Sequence, residues 1–154
     1  MIQRIQTIFL FVVLLALVGF NFFPYWESVP RNGEASHLLF SYAHVVINGE
    51  DASLTIGLYA VVAGLTGLAA LLAIIEISMF KNRVQQMKLG ALNSVIMTIA
   101  LGFMTYFVLQ LQKELSGSFG IGIFILALAM LANVMARRFI NKDEKLVRSV
   151  DRIR

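Results

Sequence analysis

The distribution of charge constrains this chain more than any other feature of its sequence. Among its 154 residues are 13 Lys and Arg and 9 Asp and Glu, yet four long runs carry no charge at all: 5–26, 52–75, 89–112 and 115–136. Because about 20 apolar residues in a helix cross the hydrocarbon core of a bilayer, each run is long enough to do so. The sequence therefore predicts a membrane protein and excludes an ordinary soluble domain.

We predict an all-α membrane protein built on a bundle of four transmembrane helices. The transmembrane domain covers 1–140, and the basic, amphipathic cytoplasmic tail covers 141–154; the spans are expected at about 5–23, 54–80, 89–111 and 116–137. The bulky residues Pro24, Tyr25 and Trp26 follow the first run, where a signal-peptide cleavage site needs small ones. We therefore expect the first helix to remain uncleaved.

Lys and Arg residues define the expected orientation. Of the 13, 11 lie near the termini or between Lys81 and Lys88, and only Arg31 and Lys113 lie on the other side. Since these residues are concentrated in cytoplasmic loops, we expect a multi-pass protein of the cytoplasmic (inner) membrane with both termini in the cytoplasm. Tyr25 and Trp26 would then belong to an aromatic belt at the outer interface.

Residues 24–53 form the extracytoplasmic segment of this topology. Residues 25–29 suit a strand, 30–33 (Pro-Arg-Asn-Gly) suit a turn, and 36–47 are rich in aromatic and β-branched residues before Asn48-Gly49. We predict a small β-hairpin, with a short amphipathic helix as the alternative. A lone hairpin is marginal in water, so it needs the bundle or a partner.

Small residues recur along the second and third predicted spans. In lipid, such residues let two helices approach closely. Packing within the bundle and contact with another subunit would both use them. The candidate packing residues are Gly64 and Gly67 on the second span and, at intervals of four that stack them in one ridge on the third, Gly90, Ser94, Thr98 and Gly102.

Three polar residues fall at one depth in the predicted spans. Glu76 precedes Lys81 by five residues, Asn93 follows Lys88 by five, and Asn133 precedes Arg137 by four. At about 1.5 Å per residue, all three lie roughly 6 to 8 Å inside the cytoplasmic boundary. Two interpretations remain open: a proton or ligand site, and an interhelical hydrogen-bond clamp in which Glu76 reaches the interface or a nearby cation.

The sequence offers no pattern typical of catalysis, cofactor binding or metal binding. It contains no cysteine, serine-nucleophile motif or glycine-rich phosphate loop. His37 and His44 are seven residues apart, whereas metal ligands on a helix favour intervals of three or four. Only 14% of residues are charged, so a pI of about 9.7 does not indicate nucleic-acid binding. We predict no enzymatic activity.

The tail, counted from residue 137 onward, has seven basic and three acidic side chains. Its net charge of +4 equals that of the whole chain. Its apolar residues, including Leu146 and Val147, share one helical face, so we expect an amphipathic helix that continues or kinks from the fourth span. Anionic lipid and a protein partner are both open as its target. The candidate contact residues are Arg4, Lys81, Arg83, Lys88, Lys145, Arg148 and Arg152.

Three segments resemble a known family. They are the opening Met1-Ile2-Gln3-Arg4-Ile5-Gln6-Thr7, the central Phe80-Lys81-Asn82-Arg83 with Gln86 and Leu89, and the closing Lys142-Asp143-Glu144-Lys145-Leu146-Val147-Arg148-Ser149 with Asp151-Arg152. Together they resemble small four-pass inner-membrane proteins of Bacteroidota that form a domain of unknown function. The resemblance covers essentially the whole chain and implies a four-helix membrane protein, but no catalytic residue.

Two functions from different classes fit these observations. The first is a non-catalytic scaffold or accessory subunit that docks to a larger membrane-associated assembly through its cytoplasmic face. The alternative is a small oligomeric transporter or channel component that uses the polar layer of Glu76, Asn93 and Asn133. The expected partners are the lipid bilayer and another membrane protein or complex, without nucleic acid and without a cofactor.

Overall fold

The computed structural model describes residues 3–28, 35–80 and 82–151. Most of these residues are helical, in α1 (Gln3–Phe20), α2 (Ala60–Ser78), α3 (Arg83–Leu111) and α4 (Ile121–Asp151). Within this part of the chain, three helical segments are long and apolar enough to cross a membrane: Gly57–Ser78, Arg83–Leu111 and Ile121–Val147; the apolar helix Ile5–Phe20 is shorter. The prediction of a mostly helical chain with several apolar helices is confirmed.

Each helix packs mainly against two of the others. Helix α1 contacts α2 and α4, and α3 contacts the same two helices. Buried positions on α3 recur every three or four residues and so lie on one helical face; they include Gln86, Gly90, Asn93, Met97, Ala100, Met104 and Phe107. The outer faces carry exposed apolar side chains such as Phe124 and Leu131. The helices are thus apolar on their outer as well as their inner faces.

A five-stranded antiparallel sheet corrects the all-α expectation. Its strands are β1 (Trp26–Ser28), β2 (Ser36–Leu39), β3 (His44–Asn48), β4 (Asp51–Thr55) and β5 (Gly117–Phe119), in the order β4-β3-β2-β1-β5. The predicted pairing of the first two strands is present, with Trp26 opposite Leu39. The turn predicted at 30–33 lies outside the described residues.

The segment 36–47 forms two strands where the sequence suggested one. The chain turns between β2 and β3, where the amide of Phe40 donates to the backbone oxygen of Ala43 at 2.9 Å. A second two-residue turn follows Asn48: Gly49 has a φ of +61°, as the first central residue of a type II′ hairpin turn requires. Strand β4 therefore occupies residues expected to begin the second span, and α2 begins only at Ala60.

The connection between α3 and α4 supplies the fifth strand. A Cβ at Gly117 would overlap the indole ring of Trp26 and lie 2.6 Å from the backbone oxygen of Glu27, so only glycine fits this approach. Helix α4 consequently begins at Ile121, five residues later than expected. Tyr25 and Trp26 are fully buried in the core, which corrects the expectation that they form an interfacial aromatic belt.

Helices α3 and α4 extend beyond the predicted spans. Helix α3 begins six residues early, at Arg83, because the side chain of Asn82 caps it by accepting a hydrogen bond from the amide of Gln85. Helix α4 continues as one helix to Asp151. The tail was expected either to continue the fourth helix or to kink away from it. Its described part continues α4 without interruption.

Candidate functional site

The three polar residues singled out from the sequence are all fully buried. Glu76 lies on α2, Asn93 on α3 and Asn133 on α4, and none has measurable exposure. Two of them, Glu76 and Asn133, meet at the same residue of α3, Gly90. The structure thus brings part of the predicted layer together at the junction of α2, α3 and α4.

Gly90 allows this junction because it has no side chain. A Cβ added there would lie 2.8 Å from Oε1 of Glu76 and 2.9 Å from Cγ of Arg137. Real Cβ atoms essentially never approach other atoms within 3.0 Å. The aliphatic part of Arg137 and the carboxylate of Glu76 therefore both occupy space that any other residue at position 90 would fill.

Asn133 links α4 to α3 through two hydrogen bonds. Its Nδ2 donates to the backbone oxygen of Gly90 and to Oγ of Ser94, each at 2.9 Å. Ser94 in turn donates to the backbone oxygen of Gly90 at 3.0 Å. Since a backbone carbonyl can only accept, these contacts also assign the orientation of the Asn133 amide. This part of the site has the geometry of an interhelical clamp.

Gln86 also belongs to the cluster, although the sequence indicated it only as part of a family segment and not as a site residue. Its Nε2 donates to the backbone oxygen of Glu76 at 2.8 Å and joins the end of α2 to the start of α3. Gln86 lies four residues before Gly90, on the same buried face of α3. Because residues four apart share a helical face, the buried position of Gly90 predicts that Gln86 is buried on the same face.

The cluster is rich in hydrogen-bond acceptors that have no donor within the described residues. Such buried oxygens occur in three of its side chains: Glu76 (both oxygens), Gln86 and Asn133; Asn93, on the same buried face of α3, has an unpaired amide oxygen and an unpaired amide nitrogen. The nearby guanidinium of Arg137 is the positive charge that acts on Glu76. An unpaired buried acceptor is costly, so these oxygens favour a donor such as water, or a cation that they could coordinate.

The predicted ridge of small residues divides into two parts. Gly90 and Ser94 pack inside the protein, as described above, whereas Thr98 and Gly102 are exposed. On α2, Gly64 and Gly67 are also exposed, and a Cβ at either position, or at Gly102, would meet no atom within 4 Å. Among the described residues, only the Gly90 end of the ridge packs closely within the chain.

Three of the basic residues predicted to form a contact surface, Arg83, Lys88 and Lys145, lie at the same end of the described helices as the polar cluster. Arg83 is half-buried, and its Nη1 donates to the backbone oxygen of Asp143 at 3.3 Å, which ties the start of α3 to the extension of α4. Lys88 and Lys145 are exposed. Four of the predicted residues lie outside the part whose side chains are described: Arg4, Lys81, Arg148 and Arg152.

The two histidines meet across the sheet. Nδ1 of His37 and Nε2 of His44 are 3.1 Å apart, on paired strands β2 and β3. Burial lowers the pKa of His44, and the neighbouring His37 lowers it further. Within the described ranges, no group of three or more His, Asp or Glu residues is arranged to hold a metal ion. The seven-residue interval between the two histidines does not predict this contact on a helix, because the pairing of two strands creates it.

A comparison with protein families matches residues 2–153 to the domain of unknown function DUF4293. The chain belongs to this family. The match covers nearly the whole sequence, which confirms the expected membership of a family without an assigned function. A search of curated proteins finds no match.

Proposed function

We propose that this chain is a multi-pass protein of a bacterial inner membrane, with four spanning helices and both termini in the cytoplasm. The length and apolar character of α2, α3 and α4 support this proposal, as do the apolar outer faces of all four helices. The location of 11 of 13 basic residues at one end supports the orientation. Helix α1 would cross a bilayer together with the apolar residues that follow it.

In that membrane, the protein acts as a non-catalytic accessory subunit that docks to a larger assembly through its cytoplasmic face. We define this docking face as the first two turns of α3 from Arg83 together with α4 from Arg138 to Asp151. The contact from Arg83 to Asp143 supports a docking face in which the two helices form one surface. A surface held together in this way is pre-organised to bind.

The observation that carries the proposal is an uncovered apolar patch on this face. The inward stripe of α4 is covered at Ile140 and Asp143, which are 0% and 4% exposed, but at Leu146 and Val147 exposure rises to 47% and 43%. An apolar patch at the aqueous end of a protein favours a partner that covers it.

The chemistry of the surroundings favours a protein partner over the lipid surface. Acidic residues Asp143 and Glu144 interrupt the basic residues of the extension, and acidic groups weaken attraction to anionic lipid. We propose a partner whose own apolar patch is surrounded by acidic side chains, complementary to exposed Lys88, Lys142 and Lys145.

Affinity purification of the tagged full chain from its native membrane, at low and high salt, tests this function. The variant L146A/V147A removes the patch, and L128A/L131A removes as much exposed apolar surface from the same helix within its span. We expect a partner that remains bound at high salt, is lost from L146A/V147A and is retained by L128A/L131A. Identical partner sets for all three proteins, or recovery of the chain alone, would contradict the proposal.

The buried polar cluster favours a second candidate, a small oligomeric transporter or channel component. The observation is a carboxylate, Glu76, that is fully buried and has no hydrogen-bond donor within the described residues. Ionisable groups within a membrane often belong to ion or proton pathways. A flux of ions or protons into proteoliposomes should then be abolished by E76Q. The control E114Q, which makes the same change at an exposed site, should preserve it. A wild-type signal equal to that of empty liposomes would eliminate this candidate.

A further inference from the structure

A groove opens between α3 and α4 beside the buried cluster. Its volume is about 270 Å³, and it is lined by Met87 of α3 and by Val134, Arg137, Arg138 and Asn141 of α4. The four α4 residues recur at intervals of three or four and therefore lie along one helical face. The groove excludes the Leu146–Val147 patch, overlaps the docking face at Met87, Arg138 and Asn141, and shares Arg137 with the junction at Gly90.

The lining changes from apolar to cationic along the helix axis. Val134, which is 40% exposed, lies at the end of the groove towards the apolar part of α4. Asn141 lies about 10 Å further along the axis, at 1.5 Å per residue, and the two arginines lie between them. In the proposed orientation this gradient runs from the hydrocarbon core to the cytoplasmic headgroup region.

The polar groups of the groove are available to a ligand. Within the described part of the chain, the side chains of Arg137, Arg138 and Asn141 form no hydrogen bond and no ion pair, although the positive charge of Arg137 also acts on the buried carboxylate of Glu76. Arg138 and Asn141 are exposed, and Arg137 is half-buried. Gly90 contributes to this arrangement, because the stem of Arg137 crosses α3 where a side chain at position 90 would stand.

We propose that this groove binds the headgroup phosphate of an anionic phospholipid. The planar forks of two guanidinium groups match phosphate oxygens with paired hydrogen bonds, and the Asn141 amide adds a further donor. Met87 and Val134 contact the glycerol and the first methylenes of an acyl chain. Basic pockets between spanning helices on the cytoplasmic side are suited to anionic headgroups.

This site differs from general attraction between the tail and a charged membrane. Exposed lysines attract any anionic surface, and that attraction is screened by salt over about 8 Å at physiological ionic strength. The groove combines two guanidinium groups with an apolar contact, so its binding depends on where the positive charge lies and not only on how much there is. A charge-matched comparison separates the two effects.

The experiment measures lipid binding by the full chain purified in mild detergent. Native mass spectrometry counts bound phosphatidylglycerol and, separately, phosphatidylcholine, with R137Q/R138Q compared with K142Q/K145Q. The glutamine at position 137 keeps the aliphatic stem over Gly90, and both double variants lose two positive charges. We expect the affinity for phosphatidylglycerol to fall about tenfold or more in the arginine variant, and by less than about threefold in the lysine variant.

Three results would overturn the proposal. Equal losses in the two double variants would indicate general charge attraction, and equal binding of the two lipids by the wild type would exclude recognition of an anionic headgroup. Competition by millimolar inorganic phosphate would assign the site to a soluble phosphate compound. R137K/R138K adds a further test, since it keeps the charge but loses the forks and should bind less lipid than the wild type.

The inference rests on the proposed membrane insertion, which is tested separately. Alkaline carbonate extraction of native membranes leaves an inserted protein in the pellet. Release into the supernatant would contradict the insertion itself, whereas retention without lipid discrimination would contradict the lipid site alone. The emission of Trp26, the only tryptophan of the chain, reports whether each variant keeps its fold.

Discussion

Substitution of Gly90 by alanine tests the junction of α2, α3 and α4 directly. The added Cβ would stand 2.8 Å from the Glu76 carboxylate and 2.9 Å from the Arg137 stem, so at least one of them must move. Overpacking of a buried site costs typically about 1–3 kcal/mol. Alanine also favours a helix over glycine by roughly 0.5–1 kcal/mol, which offsets part of this loss.

A matched substitution on the same helix separates the two contributions. Gly102 is exposed, and a Cβ there meets nothing within 4 Å, so G102A gains the helical preference without a clash. We therefore expect the free energy of unfolding of G90A to lie about 1–3 kcal/mol below that of G102A. The measurement is equilibrium unfolding in detergent micelles, followed by far-ultraviolet circular dichroism.

The clash also predicts which second substitution relieves it. R137A removes Cγ and Cδ, two of the three atoms closest to the added Cβ. The double variant G90A/R137A should therefore be more stable than the sum of the single effects by about 0.5 kcal/mol or more. G90A and G102A of equal stability, together with additive effects in the double variant, would refute the packing described at Gly90.

Two further predictions concern the sheet. G117A should destabilise the protein and shift the emission of Trp26 to longer wavelength, because the new Cβ displaces a fully buried indole. The control S118A, at the next and exposed position, should leave the emission unchanged. An unshifted spectrum for G117A would contradict the contact between Gly117 and Trp26. His44 has a lowered pKa in the folded protein, so the unfolded chain binds this proton more readily and the free energy of unfolding should fall as the pH drops below 6.5. In denaturant titrations at several pH values, the free energy of unfolding of H44Q should depend less steeply on pH than that of the wild type. An equally steep dependence would refute the assignment of this effect to His44.

The candidate site was only partly predictable from the sequence. The positions of Glu76, Asn93 and Asn133 relative to nearby basic residues indicated one depth, because helical rise converts sequence distance into height. Height says nothing about direction around the helix axis, so the contacts of Glu76 and Asn133 with Gly90 could not be derived. For the same reason, the small-residue ridge was identified as one feature, although only its Gly90 end packs closely within the chain.

Some strands and turns of the sheet were predictable from local sequence, but its full set of strands was not. The strand at 26–28 and the turn at Asn48-Gly49 follow from local preferences for extended and tight-turn conformations. Strand β5 does not, because its three residues lie in an apolar run and become a strand only by pairing with β1, more than eighty residues earlier. Uncharged runs therefore predicted starts that were too early for the second and fourth helices.

The sequence by itself determined the mostly helical, apolar character of the chain, since that depends on composition and on spacing along a single helix. Only the tertiary structure decided which side chains meet: His37 with His44, Glu76 and Arg137 at Gly90, and the arginines with Met87 in the groove. Those contacts join residues on different elements. Their formation depends on helix rotation and strand register, which are determined by packing between elements and not by any one segment.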